Sequence, residues 1–147
     1  MALTADQFIS DMERKAREGL PTKTSFDAVA PVLRQGIDEH FAARSTPAGN
    51  AWPRRKDNKP HPLLEETGTL RAAATTEGAM GHVERVEENV LTLGVDKSVD
   101  EGGLPGARAH QEGYREGNIP PRQYLGFSEE TAERSTEVVA DKLAGVA

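Results

Sequence analysis

The chain of 147 residues contains no cysteine. Disulfide bonds and metal sites with cysteine ligands are therefore excluded, because both require a thiol group. The absence fits assembly in a reducing cytoplasm. The chain also lacks an apolar run of membrane-spanning length, and no charged segment followed by an apolar stretch opens it. We therefore expect a soluble protein without a classical export signal.

An excess of basic residues is missing too. Asp and Glu number 24 against 18 Lys and Arg, which gives a formal net charge of -6. A dedicated DNA- or RNA-binding protein needs a basic surface that displaces counterions from the phosphates. The balance therefore argues against a DNA-binding regulator. We interpret the local basic group of Arg54, Arg55 and Lys56 as part of a solvated loop.

The length and the composition are those of one domain with a modest core. Hydrophobic residues make up 36% of the chain and charged residues 29%, so the sequence is more polar than that of an average globular domain. Apolar residues still cluster in periodic runs, which separates the chain from the disordered class. We expect a large solvated or partner-facing surface.

Residues 4–18 have the spacing of an amphipathic helix. Thr4 and Gln7 stand at capping-box spacing, so the side chain of each can bond the backbone N–H of the other. Gly19 and Pro21 end the pattern. We assign residues 1–22 to an N-terminal helical extension and residues 23–147 to a single α+β domain.

Two more helices are predicted. The first covers residues 27–43, with Asp27 as its N-cap, because Pro31 is tolerated only in the first turn of a helix. We expect this long amphipathic helix to lie across a sheet. The second starts at Ser128, a good N-cap, and Glu129 and Glu130 complement the helix dipole in its first turn.

Alternating apolar residues predict strands over residues 69–76 and 107–114 and a hairpin over residues 83–95. Leu91, Leu93 and Val95 share one face of the hairpin, whereas Val83 and Val86 are out of phase, which allows a bulge. The predicted fold class is α+β, with a small antiparallel sheet of about four to five strands packed by the long helix and flanked by the N- and C-terminal helices.

Two loops stand out. Residues 44–62 are rich in proline and contain the single tryptophan, Trp52, which we interpret as a plug over one end of the core with its N–H bonded. The alternative is a partner-facing anchor. Residues 96–106 form an acidic, glycine-rich, exposed loop, and loops of this length are often functional.

The sequence shows no catalytic constellation, and we expect neither enzymatic activity nor a cofactor. His110 and Glu112 share one face of the predicted strand, which leaves a small metal-dependent hydrolase as a remote alternative. Gly126-Phe127-Ser128 is not a nucleophile elbow, because Glu130 stands where the second glycine is needed.

Several short motifs nevertheless follow one another in a specific order. They are the helix end 36–41, Gly49 with Trp52, Leu64-Glu65-Glu66-Thr67-Gly68-Thr69-Leu70-Arg71, Leu93-Gly94-Val95, the segment 105–113 with His110-Gln111-Glu112-Gly113, and the segment 120–128 with Pro121-Arg122-Gln123-Tyr124-Leu125. In this order the chain resembles the phage virion morphogenesis family, the tail completion proteins of the Mu G-protein type. The resemblance covers about residues 26–143 and leaves out the first 22 residues. Gly106 and Glu112 depart from the pattern, which usually has an aromatic residue and Phe there.

The resemblance implies a structural protein of the virion neck, assembled in the host cytoplasm. It would form a homo-oligomeric ring, a hexamer, around a channel through which DNA passes as non-specific cargo. Its partners would be other neck, connector and tail-tube proteins, and it would not bind a membrane. Alternatives within the same virion are a tail terminator ring and a head completion adaptor ring.

Under this interpretation the motif residues are architecture: turns, strand ends and hydrogen bonds. They are Trp52, Thr67, Gly68, Leu70, Arg71, His110, Gln111, Gly113, Pro121, Arg122, Tyr124 and Leu125. We expect contacts with neighbouring subunits or rings from the N-terminal helix and from the 96–106 loop. The candidates there are Phe8, Ile9, Met12, Asp100, Glu101 and Leu104.

Overall fold

The computed structural model describes residues 4, 6, 7, 9, 10, 14, 18, 22–56, 60, 62–87, 90–96, 98, 99 and 106–146. Their elements, in chain order, are α1 (Thr22–Ala43), α2 (Thr69–Thr75), β1 (His82–Glu87), β2 (Val90–Val95), α3 (Gly106–Glu112) and α4 (Glu129–Val146). The α+β class is confirmed.

The predicted capping box is present at the start of the chain. The backbone N–H of Thr4 donates to Gln7 Oε1 over 2.9 Å, and the backbone N–H of Gln7 donates to Thr4 Oγ1 over 3.2 Å. Further along, Arg14 Nη1 pairs with Glu18 Oε1 at 3.2 Å. The described residues in helical conformation here are Asp6, Gln7, Ile9, Ser10 and Arg14.

Helix α1 begins at Thr22, so the predicted start at Asp27 is wrong, and Pro31 lies inside the helix. The reason is packing. Phe26, Val29 and Leu33 are all buried and recur at helical spacing on both sides of the proline. Pro31 itself is exposed, so the hydrogen bond that it cannot donate is lost on the face that water reaches.

The long helix packs chiefly along α4 and next along α2, and its contact with β2 is smaller. It therefore lies mainly against helices, whereas we expected it to lie across a sheet. Gly36 makes this close approach possible, because a Cβ atom there would come within 2.5 Å of Thr131 Oγ1 on α4.

Residues 69–75 form helix α2, so the strand predicted at residues 69–76 is wrong. Leu70, Ala73 and Ala74 are the buried residues, at the spacing of one helical face. The run is too short for its hydrophobic period to distinguish a helix from a strand. Alanine has the highest helix propensity, so the three consecutive alanines favour the helix.

The hairpin is confirmed. Strands β1 and β2 pair antiparallel in an unbroken register from His82 opposite Val95 to Glu87 opposite Val90, so the bulge that the sequence allowed does not form. Leu91 and Leu93 pack onto the core, as predicted. Within the described residues the sheet has two strands, not four to five.

Residues 106–112 form helix α3, so the strand predicted at residues 107–114 is also wrong. Ala107 and His110, three residues apart, are buried together. Gly113 follows with φ of 85°, the left-handed conformation that commonly ends a helix.

The C-terminal helix begins as predicted. The N–H of Thr131 donates to Ser128 Oγ over 3.2 Å, and Glu129 and Glu130 occupy the first turn. Ala132 and Val139 are buried against α1.

The buried apolar residues form two neighbouring clusters. The larger, which we call the main core, joins α1, α2 and the segments around Trp52 and Tyr124. The smaller lies between α1, α4 and the inner face of the hairpin. The members of the main core are Ile37, Phe41, Trp52, Leu64, Leu70, Ala73, Ala74, Val99, Ala107 and Tyr124.

Candidate functional site

Most of the predicted motif residues meet where three segments of the chain come together, residues 52–54, 107–113 and 121–126. We call this region the joint. At its centre is Tyr124, which is fully buried and donates its hydroxyl proton to the carbonyl of Ala107 over 2.8 Å. Burial raises the pKa of this hydroxyl, so it remains a donor across the physiological range.

Gln111 binds the backbone beside Tyr124 with its whole amide group. Its Oε1 atom accepts the N–H groups of Tyr124 and Leu125, each over 3.0 Å. Its Nε2 atom donates to the carbonyl of Leu125 over 3.3 Å. One side chain thus satisfies three backbone groups that would otherwise need a neighbouring strand.

Arg122 connects the joint to the proline-rich loop. Its Nε donates to the carbonyl of Pro53 over 3.0 Å and its Nη2 to the carbonyl of Arg54 over 3.3 Å. Its backbone N–H donates to the carbonyl of His110 over 2.8 Å. The residue is buried, and its side chain and its backbone N–H together connect the three segments of the joint.

The ring of Trp52 covers one end of the main core. It is 4% exposed, and its Nε1–H donates to the carbonyl of Gln123 over 2.8 Å. The ring of Phe41 lies between Trp52 and Tyr124, with centroids 5.6 and 5.4 Å away. The residue has the environment of the predicted plug and not that of a partner-facing anchor.

A second group of motif residues lies where α2 begins. Arg71 donates through Nε to Asp38 Oδ1 over 2.8 Å and through Nη1 to Glu65 Oε1 over 2.7 Å. The hydrogen bonds to Asp38 and then Glu65 raise its pKa further above its usual range. The guanidinium also lies 5.8 Å from the centroid of Phe41. Arg71 therefore ties α2 to α1 and to the preceding loop.

The remaining motif residues shape the backbone at both places. Gly68, with φ of 77°, is the N-cap of α2, and Thr67 Oγ1 accepts the N–H of Thr69 over 3.3 Å. A Cβ atom on Gly113 would lie 3.0 Å from the ring of Pro121. Leu70 is fully buried in the same cluster as Tyr124, so the two groups of motif residues share one core.

The pair proposed for metal or acid–base chemistry does not form. His110 and Glu112 lie on helix α3, where positions two apart point about 200° away from each other. His110 is buried, whereas Glu112 is exposed and bonds Arg108 over 2.8 Å. Within the described ranges no group of three His, Asp or Glu side chains is arranged to hold a metal ion.

Of the predicted contact residues, one can be assessed. Ile9 is 45% exposed. The others lie outside the described residues: Phe8, Met12, Asp100, Glu101 and Leu104.

A network of charges that was not predicted from the sequence lies beneath the hairpin, and we call it the hairpin network. Arg34 on α1 bonds Glu84 on β1, and Glu84 also accepts from His82 Nε2 over 3.1 Å. The other ring nitrogen of His82 lies 2.6 Å from the carbonyl of Ala73. Burial raises the pKa of Glu84, but the hydrogen bonds from Arg34 and His82 outweigh this effect and lower it.

A weak signal of the hairpin network was present in the sequence. His82, Glu84 and Val86 lie on one face of β1. The register pairs these residues with the apolar residues of β2, so they lie on the same side of the sheet. Two polar residues on a core-facing surface require buried partners. Sequence alone does not identify Arg34, since it lies 50 residues away from Glu84.

The motif side chains thus hold backbone segments of the same chain in place. The sequence model of the phage virion morphogenesis family matches residues 5–144, and the chain belongs to this family. The match includes most of the first 22 residues, which the motif resemblance left out. Comparisons with curated proteins and with solved structures give no match.

Family membership gives the chain a role in virion structure or assembly. In the part of the chain that the structure describes, no helix combines the length and the apolar character needed to cross a bilayer.

Proposed function

We propose that the chain is a structural protein of the phage head–tail neck, a tail completion or head–tail joining protein that forms a closed ring around the DNA channel. The ring is a hexamer of this chain. It stacks on other neck, connector and tail-tube proteins, and DNA passes through it as non-specific cargo.

The observation that carries this proposal is the use of the motif side chains. Gln111, Arg122 and Trp52 all bond backbone groups within the subunit. A side chain committed to its own backbone stabilises a shape and performs no chemistry on a substrate. A rigid body of this kind suits a building block whose neighbours must fit at fixed positions.

The outer face of the hairpin is the surface that we assign to contacts between subunits. Val90, at the start of β2, is 60% exposed, and Met80, just before β1, is 85% exposed. Gly94 lies on the same face of β2 as Val90, and a Cβ atom there would meet nothing within 4 Å. A neighbouring subunit covering this face would remove exposed apolar area from water.

Native mass spectrometry with negative-stain electron microscopy of the purified protein tests the ring. We expect closed rings of six. Val90→Asp should prevent ring formation while thermal unfolding stays unchanged. Ala140→Asp, the same kind of substitution at an exposed position of α4, should leave the rings intact. A wild-type monomer that binds neither tails nor connectors would contradict the proposal.

Incubation with purified tails and with filled heads separates the neighbouring roles. A tail completion protein binds the tail top before the head is joined. Binding to filled heads alone would favour a head completion adaptor ring, and binding that stops growth of the tail tube would favour a tail terminator ring.

A further inference from the structure

An open cavity of about 440 Å³ lies beside the joint and has no role in the function proposed above. Its walls come from two distant parts of the chain, Lys56 in the proline-rich loop and the segment that follows α3. Its lining includes the polar side chains of Lys56, Glu112, Tyr114, Arg115 and Asn118.

The wall formed by residues 114–119 is a small, firmly bonded turn. Tyr114 and Ile119 exchange two backbone hydrogen bonds of 2.9 Å, and the N–H of Asn118 donates to the carbonyl of Arg115 over 3.1 Å. The ring of Tyr114 lies against Gly117, where a Cβ atom would be 2.6 Å from the ring. The turn therefore holds Arg115 at a defined place on the rim.

The opposite wall is fixed by the joint. Arg122 donates to the carbonyls of Pro53 and Arg54, three and two residues before Lys56. The backbone N–H of Arg122 donates to the carbonyl of His110 in α3, so one buried residue is bonded to both walls, to one through its side chain and to the other through its backbone. The cavity is thus set by the fold and not by the side chains on its rim.

The rim is positively charged in a chain that is negative overall. Lys56 and Arg115 are both exposed, and among the described residues no carboxylate pairs with either of them. The acid that lines the cavity, Glu112, is bonded by Arg108 over 2.8 Å. Arg54, two residues before Lys56, is also exposed.

We propose that this cavity contacts the phosphodiester backbone of DNA, an inference that rests on the proposed ring. Lysine, arginine, asparagine and tyrosine side chains are all typical contacts of phosphate oxygens, and Lys56, Arg115, Asn118 and Tyr114 supply one of each. In a ring, the cavity rims of the subunits face the channel.

Two cations per subunit suit a channel through which DNA slides. Each neutralised phosphate releases counterions, so binding by one subunit is weak and falls steeply with salt. The acidic remainder of the chain repels DNA. A ring multiplies the contacts around the duplex without any sequence-specific bond that would stop its passage.

Fluorescence anisotropy with a short labelled DNA duplex, over a series of salt concentrations, tests the inference on the full-length protein. Lys56→Glu with Arg115→Glu should weaken binding at low salt by at least about tenfold. The uncharged pair Lys56→Gln with Arg115→Gln should reduce the slope of log K against log salt concentration by about 2 for each subunit that contacts the duplex.

The matched control is Arg44→Glu with Lys142→Glu, two exposed cations directly after α1 and on α4, outside the cavity lining and away from the hairpin. Both Glu pairs change the net charge equally, so a non-specific charge effect weakens binding in both. An equal loss in the control, or wild-type binding in the cavity pairs, overturns the inference. Wild-type protein that binds a labelled poly-glutamate peptide through this cavity, and no DNA, also overturns it in favour of an acidic protein partner.

Native mass spectrometry of the same variants keeps the two proposals apart. Rings that persist in the cavity variants while DNA binding is lost support the inference. If the wild-type chain forms no ring with tails or connectors, the proposed function fails, whatever the anisotropy shows. Circular dichroism confirms that each variant is folded, since all four substituted side chains are exposed.

Discussion

The joint and the hairpin network are both largely buried and both polar, but they are built in different ways. In the joint, Gln111, Arg122 and Trp52 bond backbone carbonyls and amides. In the hairpin network, Arg34, His82 and Glu84 bond mainly one another. A backbone group cannot be removed by mutation, whereas a side-chain partner can. The joint therefore depends on single residues, and the network depends on pairs.

The largest effect should come from Trp52→Ala in the joint. The substitution removes a buried ring that contacts Phe41 and leaves the carbonyl of Gln123 without its indole donor. We expect a loss of about 3 to 5 kcal/mol in the free energy of unfolding, measured by urea denaturation. Trp52→Phe, which keeps most of the apolar contact, is the control. A loss below about 1 kcal/mol for Ala would show that the ring is not a plug.

Gln111→Ala should follow, with a loss of about 3 kcal/mol, because the N–H groups of Tyr124 and Leu125 both lose their acceptor at 1 to 3 kcal/mol for each unsatisfied group. Gln111→Glu keeps the acceptor oxygen for both N–H groups, now as a stronger carboxylate acceptor, and replaces the donor to Leu125 with a second oxygen. It should cost clearly less in the same urea titration at neutral pH. Equal losses for Ala and Glu would mean that the two accepted bonds do not matter.

The contrast between the two regions also explains what sequence can predict. The joint residues were recognisable as a motif because each belongs to a short, characteristic stretch of sequence. Gly113 and Pro121 are an example, since a Cβ atom on Gly113 would contact the ring of Pro121. The caps of α4 and the hairpin pairing are local as well. The hairpin network joins residues 50 positions apart, and no local pattern specifies such a partner.

The errors in the fold have a related cause. The runs at residues 69–75 and 106–112 are seven residues long, and several of their apolar positions are alanines. Such short runs do not distinguish a period of two from one face of a helix. Both runs are helical because this conformation packs Leu70 and Ala107 into the same core cluster as Tyr124. The N-terminal start of α1 was missed because a proline penalty was weighed without the burial of Phe26 upstream of it.

Glu84→Gln should have a smaller effect, about 2 kcal/mol at neutral pH, since it weakens the bonds to Arg34 and His82 but keeps the shape of the side chain. The pKa of Glu84 is lowered in the folded state. Its contribution is therefore complete above about pH 4.5 and is lost as the pH falls through the folded-state pKa. The free energy of unfolding, measured as the pH is lowered, should therefore fall less in this variant than in the wild type.

The smallest effect should be the pH response of the joint itself. His40 on α1 donates from Nε2 to the carbonyl of Gly126 over 3.2 Å, and burial lowers its pKa. The unfolded chain then binds more protons just below the usual pKa of 6.5, so the free energy of unfolding should fall as the pH drops from that value. His40→Gln, whose amide can still donate to Gly126, should remove this slope and leave the acid response of Glu84 in place. Thermal unfolding across this pH range measures both, and a slope that persists in His40→Gln would assign it to another group.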